Sequence, residues 1–342
     1  MRIIHVDNHQ QRKYGHTSVS WALKLYTGLV RAGNNVLAFS DRDVAAYEAP
    51  LRIRELASRR KINRRLLQAV EAFEPDLVIF GHCDLIDNDT FSEIRRLRPQ
   101  TVIAGCNNDP LFVPRNADSI ARRCEIADAM FVSTGSSELA PYAGRRAKLH
   151  HMPNPVDPSV ETADSSVHTD LPVDLLFCSK SQAHTERGQL VRDLKAQLPA
   201  DFEFRTPGMF GQPALWGRDY DHILADSKMG LNLNRQEGYR WYSSARMAQM
   251  AGNGLLVFTH AAAHLEDFMP EETLVYFDSE AALLEQLREF HHDDDKRRHW
   301  AGRCREFFHR EINNTLYARY IVESAMELPY SHDYVWARHP VQ

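Results

Sequence analysis

"SARMAQMAGNGLLVFT" runs from Ser244 to Thr259. Met247, Ala248, Met250 and Ala251 recur at helical spacing, and the pattern stops at two glycines, Gly252 and Gly254. "LLVFT" follows as a run apolar on both faces. A short helix delivered across glycines into such a strand is the repeating unit of a parallel sheet covered on both sides. The helix also carries Arg246 and Gln249, three residues apart and so on one face. An Arg in the first turn opposes the helix dipole. A bound anion would explain it, and so would an ordinary ion pair at the surface. Ser243 or Ser244 is suited to cap the helix, whose free N–H groups favour a phosphate.

The same grammar extends upstream. "RIIHV" (2–6), "NVLAFS" (35–40), "DLVIFGH" (76–82), "TVIAGCN" (101–107) and "AMFVST" (129–134) read as strands. Amphipathic segments at 17–33, 64–73, 90–99 and 119–127 alternate with them as helices. A stretch rich in Pro, Ser, Thr and Asp at 154–172 then breaks the pattern and reads as an interdomain linker. Beyond it strands at 173–179, 202–206, 229–234, 255–259 and 273–277 alternate with helices, which continue to about 327. The expected fold is α/β, two Rossmann-like domains facing across a cleft. The expected boundaries are 1–155, a linker at 156–172, and 173–327, with a tail at 328–342 packing back on the first domain. A length of 342 residues suits two cores better than one.

Composition narrows the function. The net charge of -5 argues against a general nucleic-acid binder. Five scattered cysteines with no C-x-x-C pair suit free thiols in a reducing cytoplasm. No window approaches the length of a membrane span, and the N-terminus reads as a strand, not a signal peptide. Among 17 histidines no H-E-x-x-H occurs, and the pairs His150-His151 and His291-His292 are adjacent, unable to share a helix face. D-x-D patterns at Asp41/Asp43, Asp87/Asp89 and Asp219/Asp221 are short enough to arise by chance. "LRIRELASRRKINRR" (51–65) holds seven basic residues and one acidic residue. It is either a solvated helix face or a surface that docks peripherally on anionic membrane.

Four stretches of the second half carry a family resemblance: "HMPNPVDP" (151–158), "VDLLFCSKSQAHTERGQLVRDL" (173–194), "WGRDYDHILADSKMGLNLNR" (216–235) and "RMAQMAGNGLLVFT" (246–259). Together, in this order, they resemble the GT-B glycosyltransferases, in particular the CgeB-like "glycosyl transferases group 1" branch. The likeness covers roughly 150–325. Two positions depart from the branch's Arg-x-Phe-Glu helix: Ala248 stands for its Phe and Gln249 for its Glu. A second Glu, eight positions earlier in wider relatives, is Trp241 here, and the nearest carboxylate is Glu237.

The resemblance implies a cytoplasmic, metal-independent enzyme that needs no cofactor. It would move a sugar from a nucleotide diphosphate sugar to a hydroxyl on a glycan, glycolipid or other surface-polymer precursor, with retention at the anomeric carbon. The donor would meet Lys180, Arg187, Tyr239, Ser243, Ser244, Arg246 and Gln249. Glu237, in a glycine loop, would approach the transferred sugar. His82, at a strand end, and His16, in the "YGHTS" loop with Gly15, are candidates for the catalytic side. Gly15, Asn107 and Asp109 would face the acceptor. Each of these also has a plain structural reading as a cap, a turn or a solvated charge. Two rivals stay open: a nucleotide-sugar epimerase of the same fold, and a catalytically inactive nucleotide-sugar-binding protein, suggested by the missing acidic pair.

Overall fold

The computed structural model describes every residue except 14, 18, 19, 53–57, 181–183 and 339–342. Tyr14 and Ser18 of the glycine loop, and 53–57 of the basic stretch, therefore lie outside the described residues. The chain divides into two compact units, Met1–Pro153 with Asn314–Gln342, and Asn154–Asn313.

The first unit is built on β1 (Arg2–Asp7), α1 (Trp21–Arg31), β2 (Asn35–Ser40), α2 (Asp41–Glu48), α3 (Arg59–Phe73), β3 (Leu77–Phe80), α4 (Asn88–Leu97), β4 (Val102–Asn107), α5 (Pro114–Cys124), β5 (Ala129–Val132) and β6 (Lys148–His151). Its strands form one parallel sheet in the order β2-β1-β3-β4-β5-β6. Every residue of β3 and β5 is buried, as continuous apolar runs demand when helices cover both faces. α2 and β6 escape the sequence pattern. "DRDVAAYE" buries only Asp41 and Ala45, and "KLHH" lies at the sheet edge with just one residue buried.

The helix Asn314–Ala325, expected in the second domain, belongs to the first unit. Its Tyr317, Ala318 and Ile321 are fully buried. The Asn314 amide donates to the Lys24 carbonyl (3.1 Å) and to Thr27 Oγ1 (3.0 Å), and Trp21 Nε1 donates to Tyr317 Oη (3.0 Å). A Cβ at position 28 would stand 2.1 Å from the Asn314 carbonyl oxygen, so only glycine lets α1 approach this closely. The chain then returns through Tyr330 and Tyr334, whose rings lie against Tyr320.

The second unit holds β7 (Val173–Leu176), α6 (Glu186–Gln197), β8 (Phe204–Arg205), α7 (Arg218–Ala225), β9 (Ser227–Asn232), α8 (Ala245–Gly252), β10 (Leu256–His260), β11 (Leu274–Phe277), α9 (Glu280–His292) and α10 (Asp294–Glu311). Its parallel sheet runs β11-β10-β9-β7-β8. The core between sheet and helices includes Leu175, Phe177, Val191, Met229, Leu231, Phe258 and Leu287.

The expected linker at 156–172 is not a free connection. It is a strap bound to the second unit. Val156 N–H donates to the Ile312 carbonyl, and Ser165 N–H to the Asn253 carbonyl. Fully buried Arg297 donates to the carbonyls of Ser165 (3.3 Å) and His168 (2.7 Å). The segment lacks strand periodicity because Arg297 and Arg305 of α10, Asn253 just after α8 and the Ile312 carbonyl, rather than a neighbouring strand, satisfy its backbone.

Candidate functional site

Open parallel sheets bind ligands beyond the carboxyl ends of their strands, at the point where strand order reverses. In the second unit that point lies between β7 and β9. β7 runs out into Phe177 and Cys178, and β9 into Leu233 and Asn234. Two arginines meet there. Thr185 caps α6 by accepting from Gly188 N–H, which puts Arg187 in the first turn. Ser244 occupies the N-cap position of α8 and puts Arg246 in its first turn.

Arg246 donates to the carbonyls of Cys178 (3.1 Å) and Leu233 (2.9 Å), and reaches Asn232 Oδ1 at 3.5 Å. Its guanidinium lies 4.9 Å from the centre of the Phe177 ring. Arg187 donates to the same Leu233 carbonyl (2.9 Å) and lies 5.7 Å from the same ring. The Arg246 Nε is buried with no hydrogen-bond partner, and among the described residues no carboxylate reaches ion-pair distance of this side chain. Burial lowers the pKa of Arg246 below the usual guanidinium value. Burial, then the charges of Arg246 and Arg235, bring Arg187 down to about 10. Two partly desolvated guanidiniums that share one carbonyl concentrate positive charge at this strand end.

Most groups around the two arginines are neutral, and Glu237 is a carboxylate whose charge reaches both. Gln249 is buried on α8, and its Oε1 accepts from the Tyr220 hydroxyl at 2.9 Å. Ser244 does not cap with its side chain. Its hydroxyl donates to Asn232 Oδ1 (2.7 Å), and no side chain caps α8. Ser243 is buried, with its hydroxyl unpartnered and its carbonyl accepting from Asn154 Nδ2 at 2.8 Å. Glu237 is tied within its own loop, accepting from Asn234 N–H (2.8 Å) and Asn234 Nδ2 (3.0 Å). Tyr239 follows in that loop and its carbonyl accepts from Tyr242 N–H. Lys180 is exposed, its ammonium 4.2 Å from the centre of the Trp216 ring.

The first unit reverses strand order between β1 and β3. Buried Asp7 ends β1 and accepts from His82 N–H at 3.0 Å and from Asn8 N–H at 2.6 Å. His5 Nε2 lies 3.5 Å from its other oxygen. The His82 ring sits between two oxygens, Asn108 Oδ1 at 2.8 Å from Nε2 and Asp109 Oδ2 at 3.7 Å from Nδ1. Burial opposes its charge, but Asp7 and Asp109 outweigh that and raise its pKa. Asn107 Nδ2 donates to the Asp109 carbonyl (2.8 Å) and shapes the turn. So His82, Asn107 and Asp109 come together, with Asp7, His5 and Asn108 as members that the sequence reading missed. A buried acid ending the first strand was the available signal. Gly15 and His16 are exposed in the loop after β1, and no contact of the His16 ring joins them to this cluster.

The acidic pairs are engaged elsewhere. Asp41 accepts from Leu85 N–H (3.1 Å) and Asp43 from Gln11 N–H (3.0 Å). Asp87 pairs with Arg59 and Asp221 with Arg218. Among the described residues no group of three His, Cys, Asp or Glu is placed to hold a metal. In the basic stretch Arg65 and Lys61 pair with Glu48, which leaves Arg60 and Arg64 exposed on α3. No helix among the described residues is long and apolar enough to cross a membrane.

Residues 187–323 match a family model described as "Glycosyl transferase-like". HepE of Anabaena, solved in complex with UDP-glucose, superposes with a TM-score of 0.65 at 13% identity, over 96% of this chain and 100% of that one. Trehalose 6-phosphate synthase of Burkholderia multivorans gives 0.61 at 13% identity, over 95% and 98%. Sucrose-phosphate synthase of Thermosynechococcus elongatus gives 0.59 at 12% identity, over 96% and 99%. No curated protein matches the chain. The chain has the GT-B glycosyltransferase fold, and its residues 187–323 match a glycosyl transferase-like family model.

Proposed function

We propose that this protein is a glycosyltransferase that uses a nucleotide diphosphate sugar, with the diphosphate held at the β7–β9 strand ends. One observation carries the reading. Arg246 and Arg187 converge on one carbonyl and one ring, and Arg246 keeps a buried, unpartnered Nε with no carboxylate beside it among the described residues. A diphosphate would supply the acceptor that the Arg246 Nε lacks and negative charge for both guanidiniums. HepE, solved with UDP-glucose, shares the fold and supports a uridine nucleotide as the first to try.

In this reading the second unit binds the donor and the first unit the acceptor. Transfer rests on positioning and on stabilising the departing diphosphate with the two guanidiniums and the N-terminus of α8. No metal is required, because these groups already neutralise the leaving charge. The acceptor is a hydroxyl of a glycan, glycolipid or other surface-polymer precursor, and the family resemblance favours retention. Peripheral contact with an anionic membrane would rest on Arg60 and Arg64 among the described residues. The test is a panel of nucleotide sugars, read first by thermal shift and then by release of nucleoside diphosphate. A ligand at a hundred times its dissociation constant stabilises by about 2.7 kcal/mol, well within detection. Binding with no release under any acceptor would favour a nucleotide-sugar-binding protein, and no binding at all would overturn the reading.

A further inference from the structure

Trp216 is 45% exposed, an unusual state for so large an apolar ring. It stands in the loop between β8 and α7, and that loop is fastened to the strand-end site. Ser179 N–H donates to the Pro207 carbonyl at 3.1 Å. A Cβ at position 208 would come within 2.5 Å of the Ser179 carbonyl oxygen, and Gly208 holds a φ of +84°, so glycine is required for this close approach. The segment Cys178–Lys180 is thus shared: Arg246 binds its Cys178 carbonyl, and the Trp216 loop packs on Ser179. Lys180 closes the connection by placing its ammonium 4.2 Å from the centre of the Trp216 ring. On the other side α7 begins two residues after Trp216 and brings Tyr220 onto Gln249, one turn from Arg246 on α8. Trp216 with Lys180, and Tyr220 with Gln249, are thus both tied to the strand end at which Arg246 binds the Cys178 carbonyl.

We infer that Trp216 is the stacking platform for the base of the nucleotide whose diphosphate lies at Arg246 and Arg187. The inference rests on the anion-site reading above and adds the group that recognises the aromatic end of the ligand. A cation over a ring occupies the surface that a flat base would cover. When nucleotide binds, the base takes that place and Lys180 is released toward the phosphates. Stacking on an indole tolerates any base, because every base has a π-face. Trp216 thus confers affinity for nucleotides as a class, and choice among bases falls to other groups.

The test compares wild type, Trp216→Ala and Trp216→Phe by calorimetric titration with UDP, GDP, ADP and inorganic pyrophosphate. For the nucleotide that wild type binds best, Trp216→Ala is expected to lose about ten- to a hundred-fold in affinity, and Trp216→Phe to stay within about threefold. Pyrophosphate affinity is expected to be equal in all three. Wild-type nucleotide affinity in a folded Trp216→Ala protein overturns the platform alone. Equal loss of pyrophosphate and nucleotide in that variant also overturns it, since the indole would then be supporting the phosphate site. A wild-type protein that binds neither pyrophosphate nor any nucleotide overturns the anion site, and the platform with it.

Discussion

Replacing Arg246 by Ala separates a ligand-binding cation from a structural one. In the unliganded fold its guanidinium satisfies the carbonyls of Cys178 and Leu233. Leu233 keeps its bond from Arg187, so truncation deprives mainly the Cys178 carbonyl. One buried acceptor left unsatisfied costs about 1–3 kcal/mol, partly offset because a desolvated cation disappears. Stability should therefore change by no more than about 2 kcal/mol, and the variant should fold. A charge-assisted bond to phosphate is worth about 1.5–3 kcal/mol, so diphosphate affinity should fall by roughly ten- to a hundred-fold. Arg187 adds a sharper test. Its pKa of about 10 is held down by burial first and then by the Arg246 charge. Removing that charge strengthens Arg187 as a cation, so the double variant Arg187→Ala/Arg246→Ala should not lose the simple sum of the single losses. The assay is calorimetric titration with UDP and pyrophosphate, checked against unfolding curves of the same preparations. A folded Arg246→Ala protein with wild-type affinity for both would refute the anion site.

Three further outcomes follow from the geometry. Gln249→Ala should cost about 1 kcal/mol in nucleotide affinity, the net value of one hydrogen bond, while Gln249→Glu is tolerated; loss of stability with no change in affinity would confine Gln249 to its bond with Tyr220. Asp109→Asn should lower the His82 pKa, followed by NMR titration of the ring, since burial already opposes that charge and Asp109 helps to hold it; an unchanged titration would remove Asp109 from the cluster. Burial raises Asp41 to about 6 from an ordinary 3.8, so the folded state holds a proton that the unfolded state releases, and stability falls as pH rises from about 4 to about 6. Asp41→Asn should flatten that slope, worth about 3 kcal/mol at most, and parallel denaturation curves for the two proteins across that window would count against the burial cause.

Much of the fold was legible because both sheets are parallel and covered on both faces. Runs such as "LVIF" and "AMFV" are buried along their whole length and announce themselves without any partner in view. What failed was whatever tertiary packing decides. The strap at 156–172 has the composition of a linker, because its backbone is satisfied by Arg297, Arg305 and Asn253 from distant parts of the sequence. The helix Asn314–Ala325 continues a helical series in sequence, yet a glycine at position 28 draws it to the first unit. At the site, arginines at helix starts were visible from spacing. Their convergence on Leu233 was not, since that carbonyl carries no side-chain signature. Ser244 shows the limit of reading caps from residue type: the residue and position are right, but the hydroxyl is claimed by Asn232.

The substitution of Gln for Glu at position 249 takes its meaning from charge. The buried end of the β7–β9 site is surrounded by carbonyls, amides and hydroxyls: Cys178, Leu233, Asn232, Ser244 and Gln249. Glu237, the carboxylate of the neighbouring loop, spends both oxygens on Asn234. A carboxylate at 249 would sit on the helix face of Arg246, one turn away, within reach of an ion pair. That pair would share the guanidinium with an external anion without removing it from the site. Gln249 keeps the oxygen that Tyr220 binds and contributes no charge. Gln249 therefore adds no carboxylate beside Arg246, and a diphosphate bound there, as proposed, would supply the negative charge.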